Sequence, residues 1–114
     1  MKSSSEQRES CVIIRIEDTR SEPGSAAELK TAFLEQMGQQ HVNILVNLSV
    51  VEYMDSSVLG ALLFGRRQAQ TEGGDLRIVA PSERVQSMIE IAQLDRILDI
   101  FDTEEEGIAS FIKE

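Results

Sequence analysis

Val42-Asn43-Ile44-Leu45-Val46-Asn47-Leu48 runs through the short connection 49–54 into Asp55-Ser56-Ser57-Val58-Leu59-Gly60. The first segment is apolar almost without interruption, which is typical of a strand covered by helices on both faces. Asp55 or Ser56 can cap the helix that follows, and we predict that this helix runs to about Thr71, before Gly73-Gly74. A buried strand that leads directly into a helix is the repeating unit of an α/β domain.

The same alternation extends on both sides of this unit. Further strands are predicted at 11–16, 76–80 and, as a short edge strand, 97–101. Ser25, Ser82 and Thr103 are predicted to cap the other helices, Ser25 and Thr103 with capping-box glutamates at Glu28 and Glu106. These elements predict one α/β domain with a largely parallel sheet, covering 11–114. The polar residues 1–10 are expected to form a flexible leader with nothing to bury.

The composition narrows the classes of partner. Eleven basic and 20 acidic residues give a net charge of −9, so polyphosphate backbones and anionic lipid surfaces would repel the chain. No apolar stretch approaches the roughly 20 residues that cross a bilayer. The single cysteine, Cys11, excludes an intramolecular disulfide and fits a reducing compartment. We therefore expect a cytoplasmic protein, with no nucleic acid partner and no direct membrane insertion.

Residues suited to catalysis are scarce. The only histidine, His41, lies at the start of a strand, whereas active sites in open α/β sheets lie at strand carboxyl ends. An acidic-site hydrolase would depend on it. Glu104-Glu105-Glu106 opens a helix, where negative charge is favourable without a metal. Gly60 and Gly65 have P-loop spacing but lack the Lys-Ser/Thr pair that follows in such loops. The prediction is no enzyme, no cofactor and no metal site.

The helix after Asp55 has an unusual second face. At 100° per residue, one face carries its aliphatic residues, and the opposite face would normally be rich in Lys and Glu. That opposite face instead presents small residues beside an aromatic one, which would suit the close approach of another protein. Its members are Ser57, Gly60, Ala61, Phe64, Arg67 and Gln68. The alternative is that Phe64 is covered by the sheet or by another helix.

These segments resemble a known family. Asp55-Ser56-Ser57 followed by Leu59-Gly60 is similar to the signature of STAS domains, specifically the bacterial anti-sigma factor antagonists. Further similarities occur in order along the chain over about residues 11–112, at 44–49, 73–76, 81–82, 94–96 and 102–106. The resemblance implies a STAS-like fold, with a mixed, largely parallel sheet of four or five strands flanked by about four helices.

The resemblance also implies a function, partner switching. An unphosphorylated antagonist binds an anti-sigma factor that is also a serine kinase, and phosphorylation releases it until a serine phosphatase resets it. The family's phosphoacceptor corresponds to Ser56. Asp55 would cap the helix and present that serine, and Ser57, Gly60, Ala61, Phe64 and Arg67 would form the partner-binding face.

Two features depart from the family pattern. Val58 stands where family members commonly have glycine, and residues 17–24 lack the usual Gly-x-Leu/Val-Asp sequence. Ser57 is an alternative phosphoacceptor. The alternative function is a non-enzymatic STAS scaffold subunit in a signalling complex or in a lipid or anion transport complex.

Overall fold

A mixed five-stranded sheet, in the order β1-β2-β3-β4-β5, organises the chain. The computed structural model describes residues 1–112. β1 is antiparallel to β2, and the other neighbouring strands are parallel. The strands are β1 (Ser3–Gln7), β2 (Val12–Ile16), β3 (Asn43–Asn47), β4 (Asp75–Val79) and β5 (Ile100–Phe101). The helices are α1 (Ser25–Gly38), α2 (Ser56–Thr71), α3 (Glu83–Ile91) and α4 (Glu104–Ser110), with a 3₁₀ turn at Leu94–Arg96. The predicted fold class is confirmed.

The sheet is covered on both faces, as the composition of β3 predicts. Ile44 and Val46 point into the larger core, which α1, α2 and α3 cover with residues such as Phe33 and Leu62. The smaller core on the other face contains four buried residues under α4: Cys11, Ile13, Leu45 and Val79. Alternate residues of β3 therefore belong to different cores, because successive side chains of a strand point to opposite faces.

Two arginines fasten α4 to the sheet. Arg15 on β2 donates two hydrogen bonds to the Glu104 carboxylate, at 2.9 and 2.8 Å. Arg77 on β4 donates to the Ser110 backbone oxygen at 2.7 Å, and its guanidinium lies 4.3 Å from the centre of the Phe111 ring. The hydrogen bonds from Arg15 lower the pKa of Glu104 despite its partial burial. Within the acidic run Glu104-Glu105-Glu106, the first residue is therefore paired with Arg15.

The expectation of a flexible leader is wrong for residues 3–7, which form β1. Arg8 donates its backbone N–H to the Cys11 oxygen at 2.8 Å and closes a hairpin with β2. The Met1 ammonium also contacts the Glu28 carboxylate. Backbone hydrogen bonds hold an edge strand to the sheet, so an exposed, polar sequence can form one without burying its side chains.

The predicted helix starts are correct for α3 and α4 and wrong for α1. Ser82 and Thr103 accept hydrogen bonds from the third residue of α3 and of α4, as predicted. Ser25, however, is the first residue of α1 rather than its cap, and its buried hydroxyl accepts from the Glu22 N–H at 2.8 Å. Gly24 takes the cap position with a φ of 93°, a left-handed conformation that glycine adopts without strain.

Candidate functional site at the start of α2

The carboxyl end of β3 places the Asp55-Ser56-Ser57 segment at the edge of the sheet. β3 ends at Asn47, and the following connection buries Val51 and Met54 while it leaves Val50 exposed. These two buried side chains anchor the connection to the larger core. Ligand and partner sites of open α/β sheets lie outside the carboxyl ends of the strands, and this segment has that location.

Asp55 is the N-cap of α2. Its Oδ1 accepts a hydrogen bond from the Val58 N–H at 3.1 Å and another from the Ser57 hydroxyl at 2.5 Å. These bonds, first that from Ser57 and then that from Val58, lower the pKa of the Asp55 carboxyl. At neutral pH the cap is therefore a carboxylate, which also interacts favourably with the positive end of the helix dipole.

The two serines after the cap have different surroundings. Ser56 and Ser57 are both exposed, as the first two residues of α2. The Ser57 hydroxyl donates to Asp55, whereas among residues 1–112 the Ser56 hydroxyl makes no hydrogen bond. Ser56 therefore presents its hydroxyl to solvent without an internal partner. The Asp55 carboxylate therefore holds the Ser57 hydroxyl in one orientation, whereas the Ser56 hydroxyl can rotate in solvent.

A second loop supports this segment through contacts that were not identified from the sequence. The β2–α1 connection lies alongside the β3–α2 connection, where the Thr19 oxygen accepts from the Glu52 N–H at 2.7 Å. Ser21 bonds twice, donating its N–H to the Tyr53 oxygen at 3.1 Å and accepting the Asp55 N–H on its hydroxyl at 2.9 Å. These contacts join residues more than 30 positions apart, so no local sequence pattern indicates them.

The same pair of loops carries an exposed aromatic group. The Arg20 guanidinium lies 5.1 Å from the centre of the Tyr53 ring, and Tyr53 is 36% exposed. Val50 nearby in sequence is 48% exposed. An exposed tyrosine stacked with arginine has the composition of protein–protein contact surfaces, where Tyr and Arg are enriched.

The residues of the predicted partner-binding face of α2 differ in their exposure. Ser57, Gly60 and Arg67 are exposed, and Phe64 is half-buried, with the Lys30 ammonium 5.2 Å from its ring centre. Ala61 cannot belong to this face, because it is fully buried. α1 packs against one side of α2. The buried face of α2 is therefore wider than its aliphatic residues alone would make it. The half-buried Leu63 lies on the exposed side instead.

The remaining candidate groups lie elsewhere. His41 pairs with the Gln36 side chain at 2.8 Å, at the opposite end of β3 from α2. Cys11 is buried, and burial raises the pKa of its thiol. Within residues 1–112, His, Cys, Asp and Glu form no group of three that could hold a metal. No helix in that same range is long and apolar enough to cross a membrane.

Comparison with known proteins agrees with the fold. The STAS domain profile matches residues 2–107. A Thermotoga neapolitana protein provisionally named an anti-sigma factor antagonist is 37% identical over 79 residues, covering 69% of this chain and 70% of that protein. The anti-sigma-B factor antagonist of Bacillus subtilis is 31% identical over 75 residues, covering 66% of this chain and 69% of that protein.

Solved structures share the architecture. The unphosphorylated form of the anti-sigma factor antagonist SpoIIAA superposes with a TM-score of 0.82 at 21% identity, covering 99% of this chain and 100% of that one. The phosphorylated form of SpoIIAA from Bacillus superposes with a TM-score of 0.73 at 21% identity, covering 96% of this chain and 98% of that one. At this level of identity the structural likeness concerns the fold. The chain belongs to the STAS domain family, among the members named anti-sigma factor antagonists.

Proposed function

We propose that this chain is an anti-sigma factor antagonist that works by partner switching at Ser56. Unphosphorylated, it binds an anti-sigma factor serine kinase. Phosphorylation of the Ser56 hydroxyl releases it, and a serine phosphatase restores it. The observation that carries the proposal is the contrast between the two serines, because within residues 1–112 the Ser57 hydroxyl bonds to Asp55 and the Ser56 hydroxyl makes no internal hydrogen bond. Ser57, the alternative phosphoacceptor, is engaged by the cap.

The electrostatics of the segment support a binding switch. A phosphate adds about −1.5 to −2 charge at neutral pH. It would stand next to the Asp55 carboxylate, which is ionised at that pH. The start of a helix accommodates this charge in water. A partner that covers the segment would have to desolvate the phosphate and the carboxylate together, so the charge is expected to act on binding.

The contact surface that fits this role has two parts. One is the exposed side of α2, with Ser56, Gly60, Arg67 and the half-buried Phe64. The other is the pair of loops that carries Arg20 and Tyr53. Ser21, in the first of these loops, accepts a hydrogen bond from the N–H of the cap residue Asp55. The Ser56 hydroxyl lies where the two parts meet, at the first residue of α2. Binding and phosphorylation would therefore use the same surface.

Phosphate localisation tests the phosphoacceptor. The purified chain is incubated with lysate of its own cells and ATP, and the added phosphate is located by mass spectrometry. We expect phosphate on Ser56, loss of modification in Ser56→Ala and its retention in the matched variant Ser57→Ala. Phosphate on Ser57 in the wild type, or equal loss in both variants, would contradict the assignment.

A binding experiment separates the switch from the alternative role. Wild type, Ser56→Asp and Phe64→Ala are each immobilised, and the retained proteins are identified. Retention of an ATP-binding kinase by the wild type, with loss in Ser56→Asp, supports partner switching. Retention of a membrane permease by all three supports the scaffold alternative. Unchanged kinase affinity in both variants would reject the proposed surface.

A further inference from the structure

The outer edge of β1 is an unpaired strand edge on the side of the molecule formed by the β1–β2 hairpin. β1 is the first strand in the sheet order and has only β2 as a neighbour. The bonds from the Glu17 N–H to the Lys2 oxygen and from the Arg8 N–H to the Cys11 oxygen fix which residues pair with β2. In an antiparallel ladder these pairs alternate, so the even-numbered residues of β1 bond to β2. The N–H and C=O groups of Ser3, Ser5 and Gln7 therefore point outward.

β1 has few of the features that normally prevent an edge strand from pairing with another strand. Edge strands are commonly protected by proline, lysine, a bulge or a covering element. β1 contains no proline and keeps an unbroken register with β2 from Ser3 to Gln7. Its one charged residue, Glu6, is paired within its own sheet, accepting from Arg15 at 2.9 Å. Burial along β1 is slight, so its backbone is open to another strand.

We propose that this edge pairs with the same edge of a second copy of the chain, in antiparallel register centred on Ser4. In this register Ser3 faces Ser5 of the second copy, and each such pair uses outward N–H and C=O groups on both sides. The two sheets become one continuous sheet across a two-fold axis. Because the contact is isologous, it closes as a dimer.

Charge selects this register among the antiparallel ones that the outward groups allow. Centred on Ser4, Lys2 stands opposite Glu6 of the second copy, twice by symmetry. Shifted to a centre on Ser5, Lys2 would stand opposite Arg8, and shifted to Glu6, two carboxylates would face each other. Opposite charges directly across a sheet stabilise and like charges destabilise. A centre on Ser3 would pair β1 with β1 only at Ser3 itself, whereas the Ser4-centred register pairs residues 3–5 of the two strands.

Disulfide cross-linking tests directly which residues of the two copies face each other. Centred on Ser4, the two Ser4 residues form a non-hydrogen-bonded pair, whose Cα atoms lie about 4.5 Å apart, within disulfide range. Ser4→Cys is expected to form a disulfide dimer under mild oxidation, whereas the matched variant Ser5→Cys, which faces Ser3, is not. The native Cys11 is buried and remains in both variants. Cross-linking of Ser5→Cys alone, of both equally, or of neither would overturn the proposal.

Sedimentation equilibrium from about 1 μM to about 1 mM measures the association itself. Ser5→Pro removes an outward N–H and no bond to β2, so it should abolish the dimer while thermal unfolding shows a folded chain. Lys2→Glu should weaken association by about tenfold or more, because it places two carboxylates opposite each other. A wild type that stays monomeric throughout, or a dimer unaffected by Ser5→Pro, would refute the edge contact. Neither measurement involves Ser56, so the outcome is independent of the phosphorylation switch.

Discussion

Two glycines of α2 in opposite environments allow a controlled test of how this helix is packed. A Cβ added at Gly60 would meet no heavy atom within 4 Å. A Cβ at Gly65 would lie 2.5 Å from Cδ2 of Phe33 and 2.7 Å from Cδ1 of Leu76. Both glycines are inside the same helix, so alanine brings the same gain in helix propensity, about 1 kcal/mol.

Gly60→Ala should therefore raise the free energy of unfolding by about 1 kcal/mol, equivalent to an increase in Tm of roughly 4 °C for a domain of this size. Gly65→Ala should lower it. Overpacking a filled core costs about 1–3 kcal/mol, and the upper end applies here because Phe33 is fully buried and cannot swing aside. After the propensity gain, a net loss of about 2 kcal/mol remains.

Urea unfolding followed by far-UV circular dichroism measures both variants against the wild type, with stability read from the midpoint at an unchanged m-value. The informative quantity is the difference between the two variants, about 3 kcal/mol, because helix propensity and unfolded-state effects cancel in it. If the two alanines changed stability equally, or if Gly60→Ala were the more damaging, α2 would have to be rotated relative to its position in this structure.

Three further outcomes follow from single side chains. Asp55→Ala removes the N-cap acceptor of Val58 and should cost about 1 kcal/mol in urea unfolding. Glu104→Gln should cost about 1–2 kcal/mol at pH 7. Because Arg15 lowers the pKa of Glu104 in the folded chain, its contribution is fully present above the ordinary value of 4.5 and is lost as the pH falls through the lowered value, so the stabilities of wild type and variant should converge in acid. Cys11 should react with a thiol reagent only as fast as the chain opens, measured by the release of a chromophore under native and denaturing conditions.

The sequence predicts the alternation of strands and helices well because each element carries a local signal. β3 is apolar on both faces, and Ser82 and Thr103 cap as expected. β1 has no such signal, since its five residues are exposed or half-buried and are held by backbone bonds to a strand formed by a later segment. Sequence periodicity reports side-chain burial, so it does not detect an edge strand of this kind.

The residues of the candidate site also differ in whether a local sequence pattern predicts them. Asp55 and the exposed serines follow from capping chemistry, which is local. The assignment of Ala61 fails because the burial of a small residue depends on where α1 lies, and a helical projection contains no information about the neighbouring helix. Ser21 was missed for the same reason, because its bond to the Asp55 N–H spans 34 positions of the chain.

The location of Ser56 explains why a covalent charge could control binding without unfolding the chain. At the first turn of a helix, the dipole favours a negative group by about 0.3–1 kcal/mol, which offsets the repulsion from a neighbouring, solvated carboxylate. In a contact that excludes water, no such balance exists, and an unpaired charge costs several kcal/mol. A hundredfold loss of affinity corresponds to only about 2.8 kcal/mol, which is less than this cost of an unpaired charge. The asymmetry depends on the Ser56 hydroxyl lying outside both hydrophobic cores, so the same phosphate placed on a buried position such as Ser25 would act on folding instead.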